Sequence, residues 1–163
     1  MTRTSALLLF LATVLCSSGC IMGIRKAIGT IQGPRSTIEI LERHMEFPSD
    51  AKIGSVALAT DGEGSGDAQA FIEFKSALVD SLQSAGLYDS SRGSVTLVAT
   101  LLTNTRLPAR QKIVLEISLS MPVGELGEAR ITTDVQGLAD REKVVADLSE
   151  SVLLFIRDLQ PGT

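Results

Sequence analysis

Residues 95–136 alternate apolar and polar side chains with period two, in three successive runs. In the first, Val95, Leu97, Ala99 and Leu101 share a face. In the second, Ile113, Leu115, Ile117, Leu119 and Met121 alternate with Val114, Glu116, Ser118 and Ser120. In the third, Ala129, Ile131, Thr133 and Val135 oppose Arg130, Thr132, Asp134 and Gln136. Successive side chains of a strand point to opposite faces, so this pattern makes a sheet buried on one side and wet on the other, as antiparallel sheets are. A sheet with one apolar face must be covered.

The cover is written on either side of the three runs. Phe71, Phe74, Leu78, Leu82 and Ala85 form a helical stripe before them, and Val145, Leu148, Val152, Phe155 and Leu159 form another after them. Asp67 and Asp140 are placed to cap these helices, Gly86 to end the first in a left-handed residue, and Pro161 to end the second. Residues 53–59, Ile-Gly-Ser-Val-Ala-Leu-Ala, read as a buried strand. The expectation is an α+β two-layer sandwich, a mainly antiparallel four-stranded sheet with two helices on one face, in the order βαβββα. Residues 37–46 stay open between helix and strand. Ser36-Thr-Ile-Glu39 has the form of a capping box, with Leu41 and Met45 at helical spacing, while Ile38 and Ile40 alternate as in a strand.

The N-terminus is of another kind. Arg3 precedes the apolar run of residues 6–15, which as a helix spans about 15 Å, half of a bilayer core of about 30 Å. Length and basic flank fit the apolar region of a signal peptide rather than a membrane-spanning helix. Ser17, Ser18 and Gly19 follow, then Cys20. That placement resembles the bacterial lipobox, whose cysteine is lipid-modified and becomes the first residue, although Ser17 stands where the lipobox usually has Leu. The resemblance implies that residues 1–19 are removed and Cys20 carries the lipid. The mature chain would then hold no free thiol, so disulfide and cysteine chemistry is not expected. Several acyl chains suffice for stable anchoring. Ile21 is not the aspartate that retains lipoproteins in the inner membrane, so the expected place is the outer membrane, facing the periplasm. Residues 20–36, with Gly23, Gly29, Gly33 and Pro34, read as a tether, and 37–163 as a single domain.

Residues 74–87, Phe-Lys-Ser-Ala-Leu-Val-Asp-Ser-Leu-Gln-Ser-Ala-Gly-Leu, followed by Val95-Thr-Leu-Val-Ala-Thr-Leu-Leu102, resemble a group of small bacterial envelope lipoproteins. These carry Phe-x-x-Ala-Leu-x-x-Ser-Leu-x-x-x-Gly-Leu, then a strand, a hairpin, a third strand and a closing helix. The order is also similar to that of penicillin-binding-protein activator and periplasmic assembly lipoproteins. The resemblance covers residues 53–160. It departs from the group at Leu148-Ser-Glu-Ser-Val152, where Asn and Gly are usual. It implies an envelope lipoprotein and brings no catalytic residue.

Candidate chemistry is sparse. Gly62, Gly64 and Gly66 follow a strand and precede a helix, but the spacing is not that of a dinucleotide loop, and Asp61, Glu63 and Asp67 would repel a pyrophosphate. Asp61, Glu63, Ser65 and Asp67 occupy the first alternating positions of a calcium loop. Ile72 stands where the closing bidentate Glu belongs, so only weak calcium binding is expected there. His44 is the one histidine, and a zinc site around it would need carboxylates as its other ligands. No Gly-x-Ser-x-Gly elbow marks a nucleophile. Arg106, Arg110 and Lys112 flank a turn and read as a solvated hairpin end. A net charge of −4 with no Trp and one Tyr speaks against nucleic acid. No catalytic residue, metal or cofactor is therefore expected.

The function that follows is a membrane-anchored, non-enzymatic interaction or accessory module of the cell envelope. Its partner is expected to be an envelope protein, met on the polar sheet face (Thr96, Thr100, Glu116, Ser118, Arg130, Thr132) or at an edge strand. The alternative is a small-molecule or lipid-binding auxiliary lipoprotein with its ligand between helices and sheet.

Overall fold

The alternating runs and helical stripes each become one element in the computed structural model, which describes residues 33–60, 68–107, 110–136 and 140–161. In chain order these are β1 (Arg35–Arg43), β2 (Ile53–Thr60), α1 (Ala68–Ser84), β3 (Val95–Leu107), β4 (Arg110–Met121), β5 (Gly124–Gln136) and α2 (Arg141–Asp158). The strands form one five-stranded sheet in the order β1-β5-β4-β3-β2.

Two parts of the expected architecture are corrected. The sheet has five strands rather than four, because residues 35–43 pair antiparallel with β5, from Arg35 opposite Asp134 to Arg43 opposite Gly127. The capping-box residues serve the strand instead. Ser36 Oγ lies 2.5 Å from Thr133 Oγ1 and donates to Asp147 on α2, so the strand alternation of Ser36 and Ile38 wins over the helical spacing. β1 begins two residues inside the stretch read as a tether. The sheet is also mixed, since β2 pairs parallel with β3. The cause is α1: a helix between two neighbouring strands returns the chain to the end where it started, so the second strand runs with the first. The order is ββαβββα.

The core lies between sheet and helices. Leu97 and Ala99 of β3, Ile117 and Leu119 of β4 and Ala129 and Ile131 of β5 are all 0% exposed. Phe74, Leu78 and Leu82 of α1 and Leu148, Val152, Phe155 and Ile156 of α2 are buried against them. Phe47, in the β1–β2 connection, is fully buried too, and its amide donates to the Leu159 carbonyl at 2.7 Å. Among the described residues few polar side chains enter this layer, and those that do are bonded. Ser149 and Ser151 donate back to the carbonyls of Val145 and Asp147, each at 2.9 Å.

The ends of the helices are set locally. Asp140 accepts from the Glu142 amide at 3.3 Å as the N-cap of α2. Gly86 has φ +70°, the left-handed conformation that closes α1, and the Leu87 amide returns to the Leu82 carbonyl at 2.8 Å. Gly54 and Gly93 pass backbone on backbone: a Cβ on Gly54 would lie 2.3 Å from the Gly93 carbonyl oxygen.

Candidate interaction surface

The solvent face of the sheet is built by the outward residues of five strands in register. One cross-strand row runs Ala59, Thr100, Glu116, Arg130, Glu39, and the next runs Ala57, Val98, Ser118, Glu128, Glu42. A third joins Thr103, Val114, Thr132 and Thr37. Thr96 opposes Ser120 on one side and accepts from Ser55 Oγ at 3.1 Å on the other. All six residues expected on this face are half-buried within it: Thr96, Thr100, Glu116, Ser118, Arg130 and Thr132.

Its electrostatic centre is Arg130. Arg130 Nη2 is 3.1 Å from Glu116 Oε2, and Nη1 is 3.9 Å from Glu39 Oε2. The Arg130 Nε is buried and has no hydrogen-bond partner among the described residues. In the neighbouring row carboxylates crowd one another. Burial against the sheet holds the Glu128 carboxyl above its ordinary value of 4.5, reinforced by the charge and hydrogen bond of Glu116 and by the charges of Glu125 and Glu42. His44 Nε2 lies 2.7 Å from Glu42 Oε2 and 3.9 Å from Glu125 Oε2, which places the lone histidine at the rim of the same acidic patch.

The acidic half of this surface is absent from the sequence reading. Glu39 and Glu42 join it only because residues 35–43 form a strand, and Glu125 and Glu128 because β5 begins at Gly124. The alternation of Ile38 and Ile40 is the signal that puts Glu39 outward. At the hairpin end, Arg110 is tied to Asp134 at 2.9 Å, while the side chain of Arg106 lies outside the described residues. So do Cys20 and the loop residues Asp61, Glu63, Ser65 and Asp67. Among the described residues no group of three or more His, Cys, Asp or Glu side chains is placed to hold a metal ion. No helix among them is long and apolar enough to cross a membrane.

A groove of about 550 Å³ runs between the two helices, lined by Glu73, Ala77 and Ser81 of α1 and Arg141, Val145 and Ala146 of α2. The Arg141–Glu73 ion pair at 2.9 Å bridges it. It lies between helix and helix rather than between helices and sheet.

No protein-family model matches the chain, and no curated protein matches it. Two solved structures of PelC from Paraburkholderia phytofirmans, both described as dodecamers, have a similar fold. One, a point variant, is 15% identical with a TM-score of 0.57 over 79% of this chain and 100% of that one. The other is 14% identical with a TM-score of 0.54 over 73% of this chain and 96% of that one. At this identity the likeness is one of fold.

Proposed function

We propose that the protein is a lipid-anchored, non-enzymatic interaction module of the bacterial cell envelope, held through Cys20 at the outer membrane and facing the periplasm. The observation that carries this reading is the one-sided sheet. Its helices cover one face, and the other is a five-stranded polar platform that nothing in the chain's described residues occupies. Partners on this reading are an envelope protein and further copies of the chain. Self-association is carried over from the PelC structures, which are dodecamers. Replacing Cys20 by Ala is expected to move the protein from the membrane fraction to the soluble periplasm, and continued membrane association would refute the anchor. In-cell crosslinking followed by mass spectrometry, with the Cys20→Ala chain as control, is expected to yield a stoichiometric envelope protein that the control loses.

The groove between α1 and α2 supports a second reading, a ligand-binding auxiliary lipoprotein, because its volume falls within the 300–1,000 Å³ typical of small-molecule sites. Its charged rim and its place outside the helix–sheet interface set it second. An Arg141→Ala chain that lost a co-purifying ligand retained by the wild type would raise it.

A further inference from the structure

We draw no further inference here: the strongest candidate, the uncharged outer edge of β2 from Ser55 to Thr60, alongside which no described strand lies, carries nothing because nothing in the structure shows what covers it.

Discussion

The Gly54–Gly93 crossing fixes where β2 enters the sheet, because the two backbones approach more closely than any side chain allows. Gly54→Ala is expected to cost about 2–3 kcal/mol through forced backbone displacement, read as a lower denaturant midpoint with an unchanged slope. Glu128 makes a prediction of the opposite sign. Its carboxyl is held above the ordinary 4.5, so the folded state binds the proton more tightly than the unfolded chain does. The native contribution is therefore complete below about pH 4.5 and is lost as pH rises through the raised value. Glu128→Gln is expected to unfold at higher denaturant than wild type at pH 7, with the difference closing as the pH falls toward 4.5. A difference that grew on acidification would contradict the crowding of Glu116, Glu125 and Glu42 around it.

At the scale of elements, the sequence carries most of α1, α2 and the β3–β5 meander, since stripe and alternation are local properties of one segment. Asp140 does what its type and place imply, and Asp140→Ala is expected to cost about 1 kcal/mol in chemical unfolding by removing the acceptor of the Glu142 amide. β1 was not legible in the same way. Ser36 and Glu39 suit a helix start as well as a strand, and the choice is made by β5, which has thirteen residues and an open side that only another strand can pair. The direction of β2 was equally hidden, because its own residues are the same in a parallel or antiparallel neighbour's company. The outward side chains of β3, β4 and β5 were legible; the acidic company they keep arrived with β1.

Across the whole molecule, the layer arrangement leaves one sheet face uncovered among the described residues, and on the proposed reading the anchor at Cys20 decides which compartment it faces. Cys20→Ala is the variant that separates the two questions. On the proposed reading it abolishes membrane retention while leaving the fold, and so the unfolding midpoint, unchanged. Coupled loss of both would mean that the N-terminal segment takes part in the domain.

What the sequence by itself determined is what depends on neighbours a few residues apart: the core-facing stripes, the caps at Asp140 and Gly86, the alternating runs and their polar side. What the tertiary structure decided is what depends on segments far apart: the fifth strand, the parallel pairing of β2 and β3, and the gathering of Glu39 and Glu116 at Arg130 and of Glu42, Glu116 and Glu125 around Glu128. The physical reason is that a strand's hydrogen bonds are made by backbone groups every residue carries. The sequence can declare which side of a strand is apolar, but only the assembled sheet settles which strand lies beside it.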